Sequence, residues 1–166
     1  MLKPLPHPDN LHLSAAEGWL ELGNWREADL ELENISAPQR AHPFVLEIRF
    51  QICAQAANWK RAVDISRTII QTLPDNPWGP FHLAYSLHEL KRTQEAYDAL
   101  RPAVERFPDK HLIRYNLACY ACQLGNLDES LEWLKQAIAL AGKEDLRKQA
   151  LSDPDLKPLR VLIRQL

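Results

Sequence analysis

Gly23-Asn24-Trp25-Arg26-Glu27-Ala28 and Ala57-Asn58-Trp59-Lys60-Arg61-Ala62 superpose at an offset of 34 residues. A second shift brings Lys91-Arg92-Thr93-Gln94-Glu95-Ala96 beneath them, and a third brings Gly125-Asn126-Leu127-Asp128-Glu129-Ser130. The small residue closing each segment (Ala28, Ala62, Ala96, Ser130) therefore recurs at constant spacing. Other columns keep the frame: Ala16, Phe50, Ala84 and Ala118, then Ile35, Ile69, Ala103 and Ala137. Pro74 and Pro108 end two units, each followed by an aspartate, Asp75 and Asp109. Agreement of several columns without an insertion is the mark of an internal repeat.

Each unit reads as two helices. Ile113, Leu117, Ala118, Ala121 and Leu124 fall at helical spacing, as do Leu127, Leu131, Leu134, Ile138 and Ala141. Between them Gly125 suits the left-handed position after a helix and Asn126 an N-cap, with Glu129 completing a capping-box pattern that Asn24 and Glu27 repeat. Pro38, Pro43, Pro74, Pro77 and Pro108 sit between units, where a residue without an N–H stops one helix or opens the next. Pro80 places the start of the third unit's first helix at Pro77 to Pro80, with an irregular turn. The inner turn of that unit, Lys91-Arg92-Thr93, has neither Gly nor Asn. Beyond the fourth unit, Glu144 to Leu151 suits a short helix and Ser152-Asp153-Pro154-Asp155 a turn. Leu159, Leu162, Ile163 and Leu166 then form one helical face, suited to covering the open core of the last repeat.

The totals exclude several classes. In 166 residues, 46% hydrophobic and 25% charged is an ordinary globular balance, and a net charge of −2 gives no global attraction to nucleic acid or to a membrane surface. No stretch approaches the roughly 18 apolar residues of a membrane span, and the N-terminal residues have no apolar run of signal-peptide length. Three cysteines make no paired framework, which fits a reducing, cytoplasmic setting.

The 34-residue helix–turn–helix unit with its small-residue columns resembles the tetratricopeptide repeat (TPR). The residues carrying the resemblance are Ala16, Ala84 and Ala118, the turns Gly23-Asn24-Trp25 and Asn58-Trp59, Ala28, Ala62 and Ala96, and Pro74 and Pro108. It covers roughly Asp9 to Leu140, and the segment Ala150 to Arg160 is similar to an extension found after bacterial repeats of this family. The second unit departs most: Phe50 stands for a small residue, Ala57 for the turn glycine and Arg49 for a leucine. The resemblance implies an all-α, right-handed α-solenoid of four helix–turn–helix repeats with a C-terminal capping helix. As one domain it divides into a proline-rich extension 1–8, repeats 9–42, 43–76, 77–110 and 111–144, and a capping extension 145–166.

The resemblance further implies that the first helix of each unit lines a concave groove that takes a peptide or helix of another protein. On that pattern the groove carries Leu13, Glu17, Leu20, Glu21, Phe44, Glu47, Ile48 and Gln51 in the first half. In the second it carries Trp78, Phe81, His82, Tyr85, His88, Leu112, Tyr115, Asn116 and Cys119. The expected partner-binding residues are Glu17, Glu21, Phe44, Glu47, Trp78, Phe81, His82, Tyr85, His88, Tyr115 and Asn116. The aromatics would act as anchors and the glutamates would select basic or polar neighbours. Trp78, Phe81 and Tyr85 have a second reading, packing between units or under the tail. Where relatives that hold the carboxylate tails of heat-shock chaperones use Lys, Arg and Asn, this chain has Leu13, Glu17, Phe81 and His82, and only Asn116 is compatible.

No catalytic, cofactor or metal site is expected. Cys119-Tyr120-Ala121-Cys122 lies within a helix rather than at a helix start after a strand, and no second cysteine pair or close histidine pair completes a zinc site. Packing accounts for these cysteines and for Cys53. His82 and His88 are too far apart in register to share a helix face for a metal, and surface positions are expected for them. Phosphate loops, H-E-x-x-H and nucleophile elbows are absent from the sequence. The basic residues of the tail, Arg147, Lys148, Lys157, Arg160 and Arg164, are too sparse to argue for nucleic acid. The expected function is a non-catalytic protein-interaction module of unidentified partner. The alternative is a scaffold subunit, possible as a homo-oligomer, whose groove holds its own tail or another copy.

Overall fold

Four backbone positions spaced 34 residues apart adopt the left-handed conformation: Gly23 (φ 75°), Ala57 (φ 50°), Lys91 (φ 63°) and Gly125 (φ 85°). After each, the next amide reaches back into the last turn of the preceding helix: Asn24 N–H to Trp19 O (2.8 Å), Asn58 to Cys53 (2.8 Å), Arg92 to Leu87 (2.9 Å) and Asn126 to Ala121 (2.9 Å). This is the Schellman closure, which satisfies the last carbonyls of one helix and redirects the chain into the next. The turn therefore forms identically whether the left-handed residue is glycine or not. Lys91, whose segment has the least local turn chemistry, makes the same bonds as Gly125.

A computed structural model describes residues 3–166, so Met1 and Leu2 of the proline-rich extension lie outside the described residues. The chain divides into two compact units, 1–82 and 83–166. The first holds α1 (Asp9–Glu21), α2 (Trp25–Glu33), a 3₁₀ turn (Ala37–Gln39), α3 (Pro43–Gln55), α4 (Trp59–Thr72) and the start of α5 (Trp78–Glu89). The second holds the rest of α5, α6 (Thr93–Leu100), α7 (Ala103–Arg106), α8 (His111–Gln123), α9 (Leu127–Ala141), α10 (Lys143–Ser152), a 3₁₀ turn (Lys157–Leu159) and α11 (Arg160–Ile163). There is no strand among the described residues.

In the first unit the core is Leu13, Ala16, Leu20, Ala28, Leu32, Ile35, Val45, Ile48 and Ile52. Asn24 and Asn58 cap α2 and α4 by accepting from the Glu27 and Arg61 amides. The buried Asp9 accepts from both the Ser36 amide (2.8 Å) and hydroxyl (2.6 Å), tying the start of α1 to the end of the first hairpin. Those bonds hold its carboxyl below its ordinary value. Two departures in the second repeat are accommodated by specific partners. Arg49 bonds Glu33 (3.1 Å) and the Leu32 carbonyl (3.3 Å) on α2 instead of entering the core. Phe50 is covered by the His82 imidazole, with ring centroids 3.7 Å apart and 18° between planes. Gly79 opens α5 where a Cβ would come within 2.9 Å of Ile70, so the approach of α5 to α4 requires glycine. Asn76 accepts from the Trp78 amide (2.9 Å) and starts the helix ahead of Pro80.

In the second unit α8 and α9 pack along one another as a helical hairpin. Ser130, in the alanine column, is wholly buried because its hydroxyl donates to the Ala118 carbonyl (2.6 Å). Asn126 caps α9 only through its backbone, and the expected capping box does not form: Glu129 instead accepts from the Tyr97 hydroxyl. The second helix of the third repeat is split into α6 and α7 at Arg101-Pro102, where proline cannot supply the helical N–H. The tail enters the core through Leu146, Ala150, Leu156, Leu159 and Ile163. Of the expected face Leu159–Leu166, Leu159 and Ile163 are buried while Leu162 is exposed, because the tail is a 3₁₀ turn and one turn of helix rather than a continuous helix.

A non-glycine residue in the left-handed region costs about 1 kcal/mol. Ala57→Gly and Lys91→Gly should each stabilise the protein, raising Tm by about 2–4 °C in a thermal melt followed by circular dichroism.

Candidate partner-binding face

In the first unit α1 and α3 lie side by side and leave an open groove of ≈ 390 Å³ between them. Its floor is Leu20 and Ile48, its α1 wall Glu17 and Glu21, and its α3 wall Gln51 and Gln55. The two glutamates share a face because they are one helical turn apart. Gln55 Nε2 donates to the Leu20 carbonyl (3.1 Å), locking α3 to α1 across the groove. Gln51 Nε2 donates to Glu47 (3.5 Å).

A second cluster in the same unit gathers Glu47, Phe50, Trp78, Phe81 and His82. His82 Nε2 bonds both Glu47 oxygens (3.2 and 3.1 Å) while its ring stacks on Phe50. Burial pushes the Glu47 carboxyl up, but the hydrogen bond and charge of His82, with Gln51, leave it below its ordinary value. Trp78 meets Phe81 edge-on at 5.4 Å. Trp78 keeps 41% and Phe44, at the start of α3, 48% of its surface exposed. His82, at 8%, is buried rather than a surface residue, since it fills the space above Phe50.

In the second unit two of the expected groove residues, Tyr115 and His88, meet the C-terminal tail. The Tyr115 hydroxyl donates to Asp153 (2.8 Å), His88 Nε2 bonds Asp155 (3.1 Å) and Gln123 Nε2 donates to the Asp155 carbonyl (2.9 Å). Asp153 also accepts the Asp155 amide (2.9 Å), which closes the turn around Pro154. His88, like His82, is buried rather than at the surface, because the tail covers one ring nitrogen and Thr93 meets the other (3.1 Å). Asn116 donates to the Leu112 carbonyl of its own helix (3.0 Å). Tyr85 is half-buried, and burial, with Glu89 and Asp155, pushes its hydroxyl up.

Cys119, Asp153 and Asp155 offer ligand atoms within 4.8 Å of one another. Hydrogen bonds already account for this group. Burial foremost, then the two aspartates, push the Cys119 thiol far above its ordinary value, so it stays protonated. Cys122 and Cys53 are buried and raised as well, burial again the largest cause. The C-x-x-C spacing thus serves packing in α8.

This helical architecture is shared with solved structures. MamA (residues 41 to the end) from Desulfovibrio magneticus RS-1 superposes with a TM-score of 0.74 at 18% identity, covering 97% of this chain and 96% of that one. TTC0263, a thermophilic TPR protein of Thermus thermophilus, gives 0.71 at 17% identity, with 95% and 100% covered. The chain has the tetratricopeptide-repeat fold. MamA from MSR-1 gives 0.67 at 22% identity, with 80% and 76% covered. No protein-family model matches the sequence, and no curated protein matches it. Among the described residues no helix is long and apolar enough to cross a membrane.

Four residues that the sequence did not single out take part in these contacts: Gln55, Gln123, Asp153 and Asp155. The Asp-Pro-Asp turn was legible, but which side chains it meets depends on how the tail folds back.

Removing the Tyr115 hydroxyl (Tyr115→Phe) should cost about 1–2 kcal/mol in urea unfolding, since it deletes a part-buried hydrogen bond to a carboxylate. In Ellman titration of the native protein all three thiols should react slowly, and fast only after denaturation.

Proposed function

We propose that this protein is a non-catalytic interaction module that takes a segment of another protein on the first unit, with Phe44 and Trp78 as anchors beside the α1/α3 groove. The observation that carries the reading is the pairing of two large exposed aromatics with an open, preformed groove in one unit. Aromatic side chains at such sites contribute much contact area while freezing few rotors. Phe81 supports Trp78 from the side, and Glu47 and His82 form a fixed polar base between them and α3. In the second unit Tyr85 and Asn116 are half-buried. His88 and Tyr115 act there by holding the tail in place.

A scaffold role through self-association is the second reading. It rests on Val161 and Leu162 of the tail, which stay 67% and 43% exposed beside the buried Leu159 and Ile163. Light scattering on Val161→Ser/Leu162→Ser separates the two: loss of an oligomer supports the scaffold.

For the groove reading, partners captured on the immobilised full chain are identified and the affinity of each is measured directly. Phe44→Ala/Trp78→Ala should weaken binding about 30-fold, with an unchanged circular dichroism spectrum. Unchanged affinity overturns the anchors.

A further inference from the structure

We infer that the α1/α3 groove selects a cationic protein segment, an amphipathic stretch presenting two arginines or lysines one helical turn apart beside an apolar side chain. This rests on the interaction reading above and names the chemistry of the partner.

Three observations carry it. First, the carboxylates of the first unit divide into partnered ones and a few without a partner among the described residues, Glu27 at the start of α2 being unpartnered as well as the groove pair. Asp29 bonds Arg61 (3.0 Å), Glu31 bonds His12 (2.9 Å), Glu33 bonds Arg49 (3.1 Å), Glu47 bonds His82 (3.1 Å) and Asp64 lies 3.7 Å from Arg67. Glu17 and Glu21, the pair lining the groove, are exposed and have no hydrogen bond or ion pair among the described residues. Like charges one turn apart on a helix repel each other, and nothing among the described residues of the unit relieves that repulsion. Second, the helices that form the groove supply no competing cation. α1 has no Lys or Arg, and the one arginine of α3, Arg49, turns away to Glu33 and Leu32 on α2. Third, each amide opposite spends one of its two N–H donors inside the protein and keeps its oxygen free. Gln55 Nε2 is used on Leu20 and Gln51 Nε2 on Glu47, which leaves their Oε1 atoms as acceptors.

Every polar side chain that lines the groove therefore offers an acceptor, two carboxylates on one wall and two amide oxygens on the other, against one remaining N–H on each amide. A carboxylate-bearing or acceptor-rich guest would meet repulsion and unmade bonds, whereas a guanidinium brings only donors, in a fork that matches a carboxylate. The floor of Leu20 and Ile48 takes the apolar side chain between the charges.

The test uses the full chain and blocked alanine-based helical peptides of about sixteen residues, with two arginines one turn apart beside a leucine stripe. Counterparts carry glutamine or glutamate at the arginine positions. By isothermal titration at low salt the arginine peptide should bind about tenfold more tightly than the glutamine peptide. The glutamate peptide should show no binding. Glu17→Gln/Glu21→Gln, at exposed positions where losing the repulsion keeps or slightly raises the melting temperature, should erase the arginine preference, as should raised salt. If the preference survives in the double variant, or the glutamine peptide binds as tightly as the arginine one, the inference falls. Should that happen while partner capture still depends on Phe44 and Trp78, the interaction reading stands without its charge selection. Should the arginine preference hold while capture ignores the aromatics, the anchors are wrong and the charge selection stands.

Discussion

Everything in this fold depends on helices of one hairpin approaching with almost no side chain between them. Ala28, Ala62, Ala96 and Ser130 have no exposed surface, and neither do Ala16, Ala84 and Ala118. Small residues at these contacts let two helices cross closely, so larger residues on either side interlock around them. The constraint is strict enough that the serine among the alanines directs its hydroxyl to a backbone carbonyl of the facing helix, since a buried hydroxyl without a partner would be costly. The left-handed turn residue serves the same end. It brings the chain round in the few residues that a close hairpin allows.

Where the second repeat breaks the pattern, the compensation comes from elsewhere in its own unit. A phenylalanine in a small-residue column needs a flat partner, and His82 supplies one while taking its polar contact from Glu47 on the helix that carries Phe50. An arginine at a leucine position is withdrawn to the acids of α2. These are exchanges between side chains distant in sequence, and they make the divergent repeat a polar and aromatic cluster instead of a defect.

The two units use their polar residues differently. In the second, the tail's aspartates meet Tyr115, His88 and the Gln123 amide, so that groups on α5 and α8 become part of a half-buried latch. Such a contact is stabilising because its hydrogen bonds are complete. In the first unit Glu17 and Glu21 are left without partners beside an apolar floor, while Asp29 and Glu33 on α2 are matched to arginines. The matched groups hold the structure.

The period of 34 residues, the helix pairs, the interrupted segment at Pro77 to Pro80 and the tail's entry into the core were all legible in the sequence. They arise from local rules: helical spacing of apolar residues, proline's missing donor, and small residues at fixed intervals. Even the turns at Ala57 and Lys91 followed from register alone, although neither residue favours the conformation it adopts. Three things needed the tertiary structure. The stacking of His82 on Phe50, the capture of Tyr115 and His88 by the tail, and the isolation of Glu17 and Glu21 from the cations of the described residues are pairings between distant positions, or their absence. A sequence states which groups exist and which helix face they share. Which of them find partners is decided only when the helices pack, because a hydrogen bond or ion pair depends on distances of a few tenths of an ångström that no local periodicity sets.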